Sequence, residues 1–465
     1  MAAFFGADEI WNLNPSNDEG EPVILAGVYN TDGDEYASEA DFLHSLDELS
    51  ELAKACNMTP VHTLTQQLPQ IDKALYVRSG KAEELAMLAE EFQAERIIFN
   101  DTLSPSQIRN LQKITGRPVT DRTRLILDIF ERRARSREAK LQVELAKLSY
   151  LKPRLIGMWE TQNRQGGASG ALSSKGEGEK QLEIDRRTID KRLAELRREI
   201  KEVSRERETQ RKKRQRSGMP LVSLLGYTNA GKSTIMNSMI EAYGTDTLAS
   251  EKKVFEADMV FATLDTTIRK IHVEKGREFL LSDTVGFIRH LPTSLVEAFK
   301  STLEEVTEAD LLLQVVDASD EYAKDHIAVT KSIIKELGAG DIPMVTVYNK
   351  SDLCRESVSF PRRGLKESSV AGETNENVYI SARDPESVSF LASVIMEKLE
   401  ADNVEIEFLI PYDMGNVLTY LMENASVSET EYRENGTYVK VSCKKSVAGK
   451  ISKMLKSHKK SGDLF

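Results

Sequence analysis

The sequence predicts a multidomain α/β protein centred on a doubly wound sheet, and three observations carry that expectation. A glycine-rich turn, Gly226-Tyr227-Thr228-Asn229-Ala230-Gly231-Lys232-Ser233, stands between the apolar run Leu221 to Leu225 and the helix-compatible stretch Ser233 to Ala242. Toward the N-terminus, short apolar runs alternate with amphipathic stretches. Between these regions lies a strongly basic segment with helical periodicity.

At 465 residues the chain has length for about three domains with real cores. The first, 1–130, is read as an N-terminal α/β domain. Its short apolar runs are Val23 to Val28, Thr59 to Thr65, Leu75 to Val77 and Arg96 to Phe99, and its amphipathic stretches are Phe42 to Ala55, Ala82 to Phe92 and Gln107 to Ile114. Gly80-Lys81 opens a helix there. It lacks the preceding glycine and the following Ser or Thr of a phosphate loop, so it is read as a helix start.

Residues 131–216 form a basic helical hairpin. They hold 25 Lys and Arg against 14 Asp and Glu, a net +11 in a chain whose total is -11. Leu141, Leu145, Leu148 and Leu151 recur at helical spacing up to a predicted end near Pro153, and Leu182, Ile189, Leu193, Leu196, Ile200 and Val203 do so again. The stretch between, 165–179, is rich in glycine and serine and is expected to be a flexible loop. Runs such as Arg132-Arg133-Ala134-Arg135-Ser136-Arg137 and Arg211-Lys212-Lys213-Arg214-Gln215-Arg216 suit RNA phosphates, with Trp159, Arg164 and Lys175 near the tip. On charge alone, a solvated helical arm accounts for the same runs better than RNA does.

The third domain, 217–401, carries four motifs in order. The G-x-x-x-x-G-K-[ST] turn can point backbone N–H groups at phosphate oxygens, Lys232 can reach the β- and γ-phosphates, and Ser233 can ligate Mg²⁺. Asp283-Thr284-Val285-Gly286 ends the next strand-like run, where the Asp283 carboxylate can hold Mg²⁺ through water and the Gly286 amide can sense a γ-phosphate. Pro343 to Tyr348 leads into Asn349-Lys350-Ser351-Asp352, whose Asp352 can accept two hydrogen bonds from guanine N1–H and its amino group, a donor pair adenine lacks. Ser381-Ala382-Arg383 offers the Ala382 amide to guanine O6. The intervals of 51, 66 and 32 residues between Lys232, Asp283, Asn349 and Ser381 suit alternating strands and helices. These motifs favour GTP over ATP.

A switch threonine belongs between phosphate loop and Asp283; Thr263, Thr266 and Thr267 are the candidates and Thr263 leads, within Phe261-Ala262-Thr263-Leu264-Asp265. Phe287 stands where Ras-type enzymes place a water-orienting glutamine, which implies slow hydrolysis without a partner, or else a differently placed group. The nucleotide-binding set is Gly226, Asn229, Ala230, Gly231, Lys232, Ser233, Thr234, Asn349, Lys350, Asp352, Ser381, Ala382 and Arg383. The catalytic set is Lys232, Thr263, Asp283 and Gly286; the Mg²⁺ set is Ser233, Thr263 and Asp283.

The last region, 402–465, reads as a small α+β domain: strand Val404 to Ile410, helix Tyr412 to Asn424, a hairpin around Asn435-Gly436, and helix Val447 to Ser457. Cys56, Cys354 and Cys443 are isolated, so neither a disulfide framework nor a zinc site is expected. Neither a signal peptide nor a membrane span is expected, and a cytoplasmic monomer is the reading.

Beyond the nucleotide motifs, the chain resembles the HflX family of ribosome-associated GTPases along nearly its whole length. The similar stretches are Gly80 to Leu85, Leu103 to Leu111, Val119-Thr120-Asp121-Arg122-Thr123, Leu141 to Ala146 with Pro153-Arg154-Leu155, and Leu182 to Arg187. The resemblance implies a P-loop GTPase doubly wound sheet beside the N-terminal α/β domain, the basic helical hairpin and the small C-terminal α+β domain. It also implies GTP/GDP and Mg²⁺ as ligands, binding to the large ribosomal subunit and its rRNA with the hairpin loop near the peptidyl-transferase centre, and splitting of stalled ribosomes. Two departures stand out: Thr266 where the family's L-D-P-T has proline, and Lys175 with Ala171-Leu172-Ser173-Ser174 in a loop that usually carries more glycine and an arginine. An ATP-driven RNA remodeller and a nucleotide-gated factor in large-subunit assembly remain as alternatives.

Overall fold

The structure is a computed structural model that describes residues 20–33, 36–165, 172–216, 219–244, 267–273, 277–289, 305–354, 360–364, 376–401 and 403–462. The chain divides into two compact units, one of them Met1–Ile200 with Ala257–Asp265 and Ile288–Lys300, the other Lys201–Glu256, Thr266–Phe287 and Ser301–Phe465.

In the first unit, β1 (Glu21–Asn30), β2 (Met58–Leu68), β3 (Arg96–Phe99) and β4 (Val119–Asp121) form a parallel sheet in the order β2-β1-β3-β4. The connections are α1 (Glu39–Ala55), α2 (Ser79–Glu91) and α3 (Pro105–Thr115). Each β-α-β crossover buries the apolar strand face under a helix, which gathers Ile24, Ala26, Leu85, Ile97, Phe99 and Leu111 into one core. The start of α3 is fixed locally: Ser104 and Gln107 form a reciprocal capping box, with proline at the first turn. A helix the sequence reading omitted, α4 (Arg122–Arg133), follows β4 directly and is buried from Arg122 to Phe130. Its Arg122 is held by the Ser45 carbonyl, the Asn100 amide oxygen and Glu48.

Two long helices, α5 (Arg137–Gln165) and α6 (Leu172–Arg216), follow. Leu141, Leu151, Ile189, Leu193 and Leu196 are buried, as their spacing predicts, and Leu145 and Leu148 are half-buried. Arg192 forks onto Glu144 with bonds of 2.8 and 2.9 Å, and Lys152 pairs with Asp190. Two expectations fail here. The helix does not end near Pro153, which lies inside α5. Proline in a helix interior costs about 3 kcal/mol, and the tertiary bonds of Tyr150 and Arg154, on either side of it, to buried Asp121 favour the helical turn against that cost. Nor is all of 165–179 a loop, because α6 begins at Leu172 and includes Gly176 and Gly178. Extending an existing helix adds one hydrogen bond per residue, which offsets a glycine cost of about 1 kcal/mol each.

Among the described residues, the larger sheet of the second unit holds seven strands: β5 (Leu221–Gly226), β6 (Thr267–Val273), β7 (Arg277–Asp283), β8 (Leu311–Asp317), β9 (Met344–Asn349), β10 (Arg362–Arg363) and β11 (Glu376–Tyr379), in the order β10-β11-β9-β8-β5-β7-β6. Strands β11, β9, β8, β5 and β7 run parallel, while β6 and β10 close the edges antiparallel. The antiparallel β6 replaces the simple strand-helix alternation expected before Asp283. Among the described residues, helices α7 (Lys232–Tyr243), α8 (Ala323–Glu336) and α9 (Pro385–Glu400) accompany this sheet. Val222, Leu224, Met236, Leu281, Leu313 and Val347 are fully buried in its core. The C-terminal part is a three-stranded antiparallel sheet of β12 (Asn403–Ile410), β13 (Ser426–Arg433) and β14 (Gly436–Lys444) in the order β12-β14-β13. Helices α10 (Gly415–Asn424) and α11 (Lys445–Gly462) supply Val417, Leu421, Ala448 and Ile451 to its core.

Candidate functional site

Because β7 and β8 lie on opposite sides of β5, the chain reverses direction across the sheet there, and the crevice outside the carboxyl ends of the strands is where such folds bind ligands. The turn after β5, Asp283 at the end of β7, Asp317 at the end of β8, Asn349 at the end of β9 and Ser381 just past β11 all emerge on that edge.

The turn after β5 takes its shape from two glycines. Gly226 has φ of 142°, and a Cβ there would lie 2.1 Å from the Val315 carbonyl oxygen. Gly231 has φ of 90°, and a Cβ there would meet the Asn349 side-chain nitrogen at 2.2 Å. No other residue type fits either position without moving backbone or Asn349. Between them Asn229 takes the left-handed conformation at φ 59°. Lys232, at the first turn of α7, is buried and its Nζ donates to the Gly226 and Tyr227 carbonyls at 3.1 and 2.7 Å. Burial lowers its pKa to about 8, against the pull of the Asp283 charge, which raises it.

Ser233 Oγ donates to Asp283 Oδ2 over 2.8 Å. The adjacent Thr234 is half-buried in the same turn. Asp283 is fully buried, and its neighbour Thr284 donates to the Leu224 carbonyl at 2.7 Å, locking the end of β7 to β5. Phe287 then donates its N–H to Gly226 and accepts from the Thr228 N–H at 2.8 Å, so the segment after Asp283 lies against the phosphate-loop backbone. Gly286 falls within that segment; a Cβ there would be 2.9 Å from Thr228 and 3.1 Å from Lys232 Nζ.

The second half of the site is braced by Asn349. Its side chain donates to the Ala230 carbonyl at 3.0 Å and accepts from the Ala382 N–H at 2.9 Å, so one amide joins the β5 turn to the Ser381-Ala382-Arg383 loop. Ser238 adds a 2.7 Å bond to the Ala382 carbonyl. Lys350 sits at φ 59° with Nζ 2.8 Å from Asp317. Ser351 N–H donates to the Ile380 carbonyl. The Asp352 carboxylate, next in the 3₁₀ turn, is exposed, as is Arg383. Ser381 donates its N–H to Ser387 Oγ at the start of α9.

The structure thus brings Gly226, Asn229, Ala230, Gly231, Lys232 and Ser233 together with Asp283 and Gly286 on one side, and with Asn349 and Ala382 on the other. Thr263 and Thr266 lie outside the described residues, and Thr267 opens β6. Asp317, which ends an apolar run as Asp283 does, joins the site without standing in any of the four motifs, and the contacts of Ser238 and Thr284 are ones no spacing reveals.

Residues 43–131 match the GTP-binding GTPase N-terminal family, 133–214 the GTP-binding GTPase middle region, and 221–350 the 50S ribosome-binding GTPase family. The chain is 40% identical over 420 residues to a GTPase HflX of Caldanaerobacter subterraneus subsp. tengcongensis, spanning 90% of each chain. It is 41% identical over 415 residues to a GTPase HflX of Alkalihalophilus pseudofirmus, spanning 89% of this chain and 91% of that one. A solved GTP-binding protein from the archaeon Sulfolobus solfataricus, in complex with GDP, aligns at 20% identity over 81% of this chain and 99% of its own, with a TM-score of 0.41.

Proposed function

The chain belongs to the HflX family of GTPases, and from that membership we propose that it binds the large ribosomal subunit and uses GTP binding and hydrolysis as a switch to split stalled ribosomes. It is a GTP hydrolase. The observation that best supports a guanine-nucleotide site is that the side-chain amide of Asn349, three residues before exposed Asp352, bonds both the Ala230 carbonyl of the phosphate loop and the Ala382 N–H.

In this reading the N–H groups from Asn229 to Thr234 cradle the phosphates, and Lys232 exchanges its Gly226 and Tyr227 carbonyls for phosphate oxygens. Asp352 reads the guanine N1–H and amino group, the Ala382 loop faces O6, and Lys350, Ser381 and Arg383 line the base. The oxygens of Ser233 and Asp283, 2.8 Å apart, are hard donors of the type and spacing that suit Mg²⁺. When bound, Mg²⁺ neutralises charge that develops on the β- and γ-phosphate oxygens. Thr263 joins that shell in the triphosphate state, and Gly286 senses the γ-phosphate.

Phe287 carries no group that can orient water, and it is buried with its backbone bonded to the phosphate loop, which supports slow turnover by the protein alone. The ribosome supplies the missing stimulation. The division of labour follows the sequence: 1–130 and the hairpin 131–216 engage the subunit and its rRNA, 217–401 hydrolyses GTP, and 402–465 forms the C-terminal domain. Among the described residues no helix is long and apolar enough to cross a membrane. The protein acts as a monomer in the cytoplasm, where its ribosomal partner is.

Turnover measured with and without purified large subunits tests the scheme, and equal rates would count against it. Sedimentation of intact ribosomes with protein and a non-hydrolysable GTP analogue separates splitting from a role in subunit assembly, because only splitting yields free subunits.

A further inference from the structure

We propose that His326 is a positioning residue for the phosphate loop, acting through the ring of Tyr227. The proposal rests on the guanine-nucleotide reading above.

Phosphate loops bind through backbone N–H groups, so the side chain at the second motif position is not required for ligand contact. Here that side chain is a tyrosine, and it is 5% exposed. Its ring lies flat on the His326 imidazole, with centroids 3.7 Å apart and planes within 10°. His326 belongs to α8, is itself 5% exposed, and has Nδ1 3.4 Å from Asp320 Oδ2. Asp320 is fixed in turn, because its Oδ1 accepts the Tyr322 N–H at 2.8 Å.

The backbone of Tyr227 sits at a junction. Its carbonyl accepts from Lys232 Nζ, and it pairs in parallel with Phe287, the residue after Gly286. The stack therefore pins the peptide at which the chain leaves β5 and begins to present N–H groups to phosphate. Without it, the loop has more conformations to lose when nucleotide binds, and that entropic cost falls on affinity. GTP and GDP share the β-phosphate that the loop wraps, so both should weaken together. Once nucleotide is bound the loop is ordered by its ligand, and the chemical step should be untouched.

The test compares wild type, His326→Ala and His326→Phe by fluorescence titration with GDP and GTP, by steady-state hydrolysis, and by thermal unfolding without nucleotide. Loss of one aromatic stack should weaken both nucleotides and raise KM by about two- to tenfold, with kcat unchanged. His326→Phe keeps a flat ring and should restore both values even where His326→Ala melts at a lower temperature. The inference is overturned if His326→Ala binds both nucleotides as wild type does, if His326→Phe is as weak as His326→Ala, or if kcat falls while KM holds. A wild-type protein that binds no guanine nucleotide defeats the underlying reading and this proposal with it; normal wild-type binding with an unaffected His326→Ala defeats this proposal alone.

Discussion

Ser233 Oγ and Asp283 Oδ2 share one hydrogen bond of 2.8 Å, which joins the first turn of α7 to the end of β7 and brings two hard oxygens to one point. The two residues stand 50 positions apart, and the residues flanking Asp283 fix it in place. Asp283 is held from behind by Thr284, bonded to the Leu224 carbonyl, and by the Ser223–Ser282 hydroxyl pair at 2.7 Å between β5 and β7.

Removing the Ser233 hydroxyl or the Asp283 charge should weaken the response to Mg²⁺ while leaving the phosphate loop in place. Ser233→Ala and Asp283→Asn are each expected to lower GTP turnover by at least about 10-fold and to raise the Mg²⁺ concentration needed for half-maximal rate, since metal sites lose roughly 10–100-fold even when only a supporting group is removed. Magnesium titration of the hydrolysis rate measures this. Unchanged half-saturation in both variants would remove Mg²⁺ from this position.

Asp352→Asn should exchange one purine for another. A carboxylate accepts from both guanine donors, whereas an asparagine amide offers one acceptor and one donor, the pattern that xanthine presents with its 2-carbonyl. Loss of a charged hydrogen bond is expected to weaken GTP by about one to two orders of magnitude, and xanthosine triphosphate should gain affinity. Calorimetric titration with both nucleotides decides it; a variant that still prefers GTP to the same degree would separate Asp352 from the base.

Much of this site was legible in the sequence because its geometry is local. Gly226, Gly231 and Lys232 are set by the steric and charge demands of one turn, and Asp283 and Asn349 stand where apolar runs end at the carboxyl edge of a parallel sheet. The Asn349 brace to Ala230 and Ala382 was not legible, since it reaches 119 positions back and 33 forward to backbone atoms that carry no sequence signature. The same holds for the ring of Tyr227 on His326. In the hairpin, local rules pointed the wrong way: Pro153 signals a helix end, yet the helix runs through it, with Tyr150 and Arg154 on either side bonded to buried Asp121. Helix α4 was overlooked because Arg122 to Phe130 is buried all round and so lacks the one-sided periodicity that marks a surface helix.

Asp128 in α4 should make the first unit more stable in mild acid than its carboxylates otherwise would. Burial raises its pKa to about 6, although Arg124, 3.2 Å away, opposes the shift. The folded state takes up this proton as pH falls through about 6, while the unfolded chain does so only near 4, so in that window the folded state binds more protons and gains stability as pH decreases. The difference in unfolding free energy between wild type and Asp128→Asn should shift toward wild type by on the order of 1–3 kcal/mol between pH 7 and pH 4. Denaturant titrations across that range test it, and a pH-independent difference would place the carboxyl in water-like surroundings.

Asp121 should be the residue on which the attachment of α5 depends. It is fully buried at the end of β4, and its carboxylate accepts from the Leu103 and Arg124 N–H groups, from the Tyr150 hydroxyl at 2.8 Å and from the Arg154 guanidinium at 2.8 Å. Arg154 also covers the Tyr150 ring at 3.4 Å, so one charge closes a cluster drawn from β4, α4 and α5. Asp121→Ala leaves a partly buried guanidinium without its counter-charge and two N–H groups without acceptors, a loss expected to cost about 2–4 kcal/mol. Asp121→Asn keeps the shape and part of the hydrogen bonding, and should cost less. If the hairpin delivers the protein to the ribosome, both variants should lose affinity for large subunits in proportion to their instability, while GTP turnover without ribosomes stays at the wild-type rate. Pelleting with purified large subunits, alongside basal hydrolysis, measures the two effects separately. Full subunit binding by a destabilised Asp121→Ala would show that the anchored geometry of α5 does not matter for docking.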